Sequence, residues 1–146
     1  MDASVDSDRP DAMVARLSQA TNNHDLEAVV DCFTEDYRNE TPAHPSRGFR
    51  GRDQVRKNWQ QILAAVPDLR ASVLRCAVDG DAVWSEWEMR GTRLDGSVHL
   101  MRGVIIFGTR AGRASWARFY LEPAQDSGED VNEAVRRAVS PGAAAS

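Results

Sequence analysis

The stretch 35–53, EDYRNETPAHPSRGFRGRD, gathers most of the residues that could move a proton. In an extended run Tyr37 and Asn39 point one way, and Arg38 and Glu40 the other. A phenol beside a carboxamide can hold a water or polarise a carbonyl. Glu40 supplies a carboxylate and His44 an imidazole, and either works as a general base when partly desolvated. Tyr37, Asn39, Glu40 and His44 are therefore the candidate catalytic residues. The same stretch is rich in Pro and Gly, and polar residues in such loops also serve to turn and cap the chain. Thr41 belongs to the same turn. Arg47, Arg50 and Arg52 read either as solvated cations or as attractors of an anionic ligand. His24 reads as a capping or surface residue.

Other chemistries have no footing. Three scattered histidines (24, 44, 99) and two distant cysteines give no metal-ligand spacing, and no metal or other cofactor is expected. The chain has no Walker-type loop, no GxGxxG motif after a strand and no GxSxG elbow. Cys32 and Cys76 both fall in apolar-periodic segments and are expected as two buried free thiols in a reducing, cytoplasmic compartment. Eighteen Lys+Arg against 22 Asp+Glu, a formal charge of −4, argue against nucleic acid and anionic membranes as partners. No apolar run approaches the ~20 residues that span a bilayer.

The elements that must position these groups follow from apolar spacing. The chain has 146 residues, 42% of them hydrophobic and 27% charged, about the size of one domain (~100–150 residues). Residues 1–9 read as a disordered N-terminus, 10–123 as the folded domain, and 124–146 as an acidic linker, a short helix and a disordered tail. Met13, Leu17 and Ala20 mark a first helix with Pro10 in its first turn and Ser7 or Asp8 as cap. Leu26, Val29, Val30 and Phe33 mark a second, starting at Asn23 or His24. Val55, Trp59, Ile62, Leu63 and Val66 mark a third, stopped by Pro67. A short strand, Tyr37 to Glu40, lies between the second and third. The period then changes to two, and residues 69–79, 82–91, 97–108 and 114–122 read as four strands. The turns Asp79-Gly80-Asp81, Asp95-Gly96 and Ala111-Gly112 are short enough to force antiparallel neighbours. The expected class is α+β, a curved antiparallel sheet packed on three N-terminal helices. Near the C-terminus Asp130 and Glu133 resemble a capping box for a small helix bearing Val131, Ala134, Val135 and Ala138.

Strand phase decides what the hollow of such a sheet would contain. In AVWSEWEMR, Val83, Ser85, Trp87 and Met89 alternate with Trp84, Glu86, Glu88 and Arg90. In SWARFYLEP, Ala117, Phe119 and Leu121 alternate with Trp116, Arg118, Tyr120 and Glu122. Burying an unpaired carboxylate is expensive, so the Glu/Arg faces should look away from the core. Trp59, Trp87, Met89 and Phe119 are then the expected substrate-binding wall for a hydrophobic small molecule. The opposite face, with Trp84, Trp116 and Tyr120 among charges, reads as a homodimer contact, a solvated face, or a carboxylate–guanidinium cluster of Glu86, Arg118 and Glu122. In VHLMRGVIIF either His99 or Arg102 could reach the cavity.

The element order, with FTEDYRNETP after the second helix, GFRGRDQVRKNW leading into the third and the terminal RFYLEP strand, resembles the SnoaL-like, nuclear transport factor 2-like superfamily over roughly residues 10–123. The resemblance implies a conical barrel of cystatin-like α+β type. The superfamily includes polyketide cyclases, ketosteroid isomerases, epoxide hydrolases, dehydratases and non-catalytic binders. Tyr37-Arg38-Asn39 resembles the tyrosine and asparagine that position water in limonene-type epoxide hydrolases. The aspartate–arginine–aspartate set of that mechanism is replaced here by Trp87, Met89 and Phe119. Thr41 aligns with the catalytic aspartate of ketosteroid isomerases. The implied function is cofactor-independent acid–base chemistry, of cyclase, isomerase or dehydratase type, on a polyketide-, steroid- or terpenoid-like molecule. A non-catalytic ligand-binding or accessory protein and an epoxide hydrolase are the alternatives.

Overall fold

A computed structural model describes residues 8–125 and 128–142. The expectations of disorder for residues 1–7 and for the last four residues lie outside the described part. The elements in chain order are α1 (Pro10–Asn22), α2 (Leu26–Asp31), β1 (Phe33–Glu40), β2 (Phe49–Arg50), α3 (Arg52–Ala65), β3 (Arg70–Asp79), β4 (Ala82–Thr92), β5 (Val98–Arg110), β6 (Arg113–Pro123) and α4 (Val131–Val139).

Helix ends differ from expectation in their caps. Arg9 holds the N-cap position of α1 in extended conformation with no side-chain cap. For α2 the cap is Asp25, whose carboxylate accepts from the Ala28 N–H at 3.1 Å. Asp25 satisfies an amide that would otherwise lack a partner. His24 instead adopts a left-handed φ of 54° in the turn between α1 and α2.

The sheet is larger than four strands. Its order is β2-β1-β6-β5-β4-β3, and β1 runs parallel to β6 while the other neighbours are antiparallel. It is a mixed, curved and unclosed sheet of the expected α+β cone, with the parallel β1–β6 pair added to the antiparallel neighbours. The reason lies at Phe33. Its helical spacing from Leu26 suggests the end of α2, but its ring packs edge-on against Tyr37 at 4.7 Å and opens β1. The Ala114 N–H donates to the Cys32 carbonyl, which starts the parallel seam. Strands thus extend from Phe33, four residues before the expected start.

The core lies between α1 and the concave side of the sheet. Met13, Val14, Leu17 and Ala20 of α1 meet Val83, Trp87, Ile105, Phe107 and Ala117. Asn22, at the end of α1, clips to β3 through both its amide groups: Oδ1 accepts from the Ala71 N–H and Nδ2 donates to the Ala71 carbonyl. Arg16 donates to the Gly112 carbonyl at the β5–β6 turn. Helix α1 is therefore pinned at its middle and at its C-terminal end across the sheet.

Curvature depends on close approach at two glycines. Gly103 has φ of 149°, and a Cβ there would lie 2.1 Å from the Tyr120 carbonyl oxygen. At Gly108 a Cβ would overlap the Trp116 indole, 1.8 Å from its Nε1. No L-residue satisfies the first position without moving backbone. The two cysteines also part company. Cys32 is buried and desolvation pushes its thiol up to about 11, whereas Cys76 is exposed, against the expectation that both are buried. Cys76 follows a register shift in β3, after which that strand's residues are solvent-facing.

Gly103→Ala should destabilise the protein by roughly 2 kcal/mol or more through forced strain. An unchanged urea midpoint would show that the sheet bends elsewhere. A thiol reagent at mild alkaline pH should label one cysteine per folded chain and both after denaturation. Two rapid labels in the native protein would contradict the burial of Cys32.

Candidate functional site

Helix α3 packs on α2 and β1. It turns Val55, Trp59, Ile62 and Leu63 toward the core. Opposite, Met101, Phe119 and Leu121 remain only half-buried on the concave side of β5 and β6. The concave side of the curved sheet, which α3 flanks, is termed the hollow. Register fixes its wall: Met89 pairs with Met101, Trp87 with Gly103, and Ser85 with Ile105, which in turn pairs with Phe119. Residues directly opposite in a ladder project to one side. On the concave side of β4, β5 and β6 the described strands therefore present no Asp, Glu, Lys or Arg.

The polar atoms of this wall are few and held. The Trp87 indole N–H donates to Ser85 Oγ at 2.8 Å, and Ser85 Oγ donates to the Ile105 carbonyl at 2.7 Å. Ser85 is thus the partner that lets a tryptophan indole sit fully buried. On β1, Tyr37 Oη donates to Asn39 Oδ1 at 2.7 Å, and burial pushes the phenol well above its usual range. Its proton stays in place at any ordinary pH, so the phenol acts as a permanent donor. That bond fixes the amide so that Nδ2 is the free end. Nδ2 has no acceptor among the described residues, and no buried side-chain nitrogen or oxygen there lacks a partner, so Nδ2 keeps open access. Asn39 pairs with Ala117, which places the amide beside the Phe119 wall. A neutral donor in an apolar recess is suited to a carbonyl or ether oxygen and poorly suited to a cation.

The four residues of the 35–53 stretch divide two and two. Glu40 pairs with Arg118 across the parallel seam, accepting from its Nε at 3.0 Å and lying 3.4 Å from Arg38 Nε. His44 Nε2 donates to Glu122 Oε1 at 3.0 Å. Arg118 and Glu122 lie on the convex side, so Glu40 and His44 are engaged there while Tyr37 and Asn39 face inward. Of the expected substrate-binding wall, Trp87 and Met89 are buried, and Trp59 and Phe119 are half-buried on opposite sides of the hollow.

The convex side carries a lattice of charges. Arg90 and then Arg102 hold the Glu88 carboxyl below its usual range, with Arg102 Nε at 2.9 Å. Arg102 therefore faces outward. His99, in register with Gly91, lies on the concave side with Met101. Strand periodicity left that choice open, and only the pairing register makes it. Arg52 sits 3.3 Å from Glu35, Arg110 2.6 Å from Asp36, and Arg113 3.0 Å from Asp31, around a cleft of about 560 Å³. Each arginine there already has an anion. Among the described residues no His/Cys/Asp/Glu group could hold a metal ion, and no helix is long and apolar enough to cross a membrane.

Residues 14–118 match the family model of the SnoaL-like domain. Among solved structures, a loop-truncation variant of IdmH is 26% identical over 77% of this chain and 92% of its own, with a TM-score of 0.67. Wild-type IdmH, a candidate polyketide cyclase from Streptomyces antibioticus, is 24% identical over 77% and 91%, with a TM-score of 0.66. An LEH-like epoxide hydrolase from M. tuberculosis is 19% identical over 76% and 80%, with a TM-score of 0.65. No curated protein matches the sequence.

Removing the Tyr37 hydroxyl leaves Asn39 Oδ1 buried without its donor. Tyr37→Phe should therefore cost about 1–3 kcal/mol of stability. Equal unfolding midpoints for the two proteins would mean that the amide is not held by the phenol.

Proposed function

Because the chain belongs to the SnoaL-like family, we propose that its hollow binds an uncharged, hydrophobic small molecule of polyketide, steroid or terpenoid type and performs acid–base chemistry on it, as a cyclase, isomerase or dehydratase. The observation that carries this reading is the Tyr37–Asn39 pair. It is a polar pair aimed into a largely apolar recess, and it is pre-oriented by a 2.7 Å bond. Asn39 Nδ2 donates to a substrate carbonyl and stabilises negative charge that develops there, a role worth several kcal/mol when the donor is fixed in advance. Trp59, Trp87, Met89 and Phe119 shape the cavity, and the facing Met89 and Met101 let it adapt to irregular ligands.

A second reading has its own support. With no ionised side chain on the concave side of β4 to β6, the same recess would serve a ligand carrier or sensor equally well. An epoxide-opening role finds no carboxylate–guanidinium set on that wall to rest on.

Function is tested by adding polycyclic ketones, and the matching carboxylates, while following tryptophan fluorescence and thermal stability. Ketones should bind and be converted, and Asn39→Leu should weaken binding or turnover at least tenfold, about 1.4 kcal/mol. Preferential binding of the carboxylates would contradict the assignment. Binding of ketones without conversion would favour the carrier.

We further propose that the convex face joins two copies of the chain. Trp84 is 51% and Tyr120 43% exposed there, beside a depression of about 380 Å³ lined by Ala77, Val104 and the Arg75–Glu86 pair. Knobs and a hole on one patch suit an isologous contact. Trp116 is a poorer probe, because its indole covers Gly108 of its own chain. Sedimentation at micromolar concentration should show a dimer that Trp84→Glu weakens; a monomeric parent protein would remove the proposal.

A further inference from the structure

Helix α4 carries the end signals of a stable helix, yet none of its residues is buried. Asp130 caps it by accepting from the Glu133 N–H at 2.9 Å, and Glu129 pairs with Arg137. Arg136 and Arg137 suit the negative end of the helix dipole. Val131, Val135 and Val139 make one stripe with Ala134 and Ala138, and the three valines are 72%, 56% and 75% exposed. Its nine residues fall short of the ~12–15 that sustain a helix alone in water. The stripe therefore needs a cover.

The convex face offers one within reach. Trp84 pairs with Ile106, and Glu86 with Val104, which pairs in turn with Tyr120, so these side chains share one side of the sheet around the depression beside Trp84. The chain leaves the sheet nearby: the Ala124 N–H donates to the Leu100 carbonyl. Val104 lies four residues further along β5, roughly 13 Å at the strand rise. The six residues 125–130 span up to about 20 Å, and α4 itself covers about 13 Å more. Charge agrees as well. Arg136 flanks the stripe without a side-chain partner among the described residues, and Glu86 is held only loosely, 3.6 Å from Arg75. We infer that α4 folds back onto the convex patch of its own chain, its valines over Val104 and Trp84 and Arg136 toward Glu86. Docking and patch are two halves of one contact, open in this structure. A consequence rests on the dimer proposed above: helix and second copy compete for one surface, and α4 restrains dimerisation.

Hydrogen exchange of residues 131–139 in the full chain, at a concentration that keeps it monomeric, reads the docking directly. Their amides should exchange at least about tenfold more slowly than in an unstructured chain. Both Val135→Asp, on the helix, and Trp84→Glu, on the patch, should abolish that protection. Sedimentation should show Val135→Asp dimerising several-fold more tightly than the parent protein. Amides that exchange freely in the parent, or stay protected in Trp84→Glu, overturn the docking. Protection that appears only as dimers form overturns it too, and assigns the stripe to the second copy. A parent protein that never dimerises, with α4 protected and released by Trp84→Glu, removes the dimer and leaves the docking in place. Equal dimerisation of Val135→Asp and parent, with docking intact, removes the competition alone.

Discussion

The pairing register of β4, β5 and β6 is the constraint on which the site depends. Side chains alternate along a strand, so a slip of one residue would send Glu88, Arg102 and Glu122 into the hollow and Trp87, Met101 and Leu121 into water. Several bonds exist only in the observed register. Ser85, which takes the Trp87 indole N–H along its own strand, reaches the Ile105 carbonyl of the next strand. Arg102 reaches across the ladder to Glu88, the residue it opposes. The exposed ion pairs add little stability individually. Their larger effect is on the alternative fold, where the same charges would be buried without water.

From that register follows the character of the recess. An apolar wall with a neutral donor selects against ions and in favour of ligands that carry one or two polar atoms on a hydrophobic frame. The parallel seam between β1 and β6 adds the donor. It sets Asn39 beside Ala117 and Glu40 beside Arg118, so that two adjacent residues of one strand serve opposite sides of the sheet. The convex charges and the concave amide are two outcomes of one alternation.

Much of this was legible in the sequence where period and cost agreed. AVWSEWEMR declares its inner face because burying Glu86 and Glu88 is prohibitive, and α3 declares itself through Val55, Trp59, Ile62 and Leu63. Three things were not legible. Phe33 fits a helical repeat and a strand start equally well, and only its contact with Tyr37 and the Cys32–Ala114 bond decide for the strand. VHLMRGVIIF has apolar and polar residues on both faces, so the orientation of His99 waits on its neighbour strand. Glu40 and His44 lie close to Tyr37 and Asn39 in sequence, yet a local reading has no access to Arg118 and Glu122, 78 residues away from each of them. The ion pairs that draw them to the convex side are tertiary.

The most direct measurement is a crystal structure of the protein with an uncharged aryl ketone bound. The account places the ketone between α3 and the concave face of the sheet, its oxygen within hydrogen-bond reach of Asn39 Nδ2. A ketone seated on the convex face, or Glu88 and Arg102 found lining the recess, would contradict it.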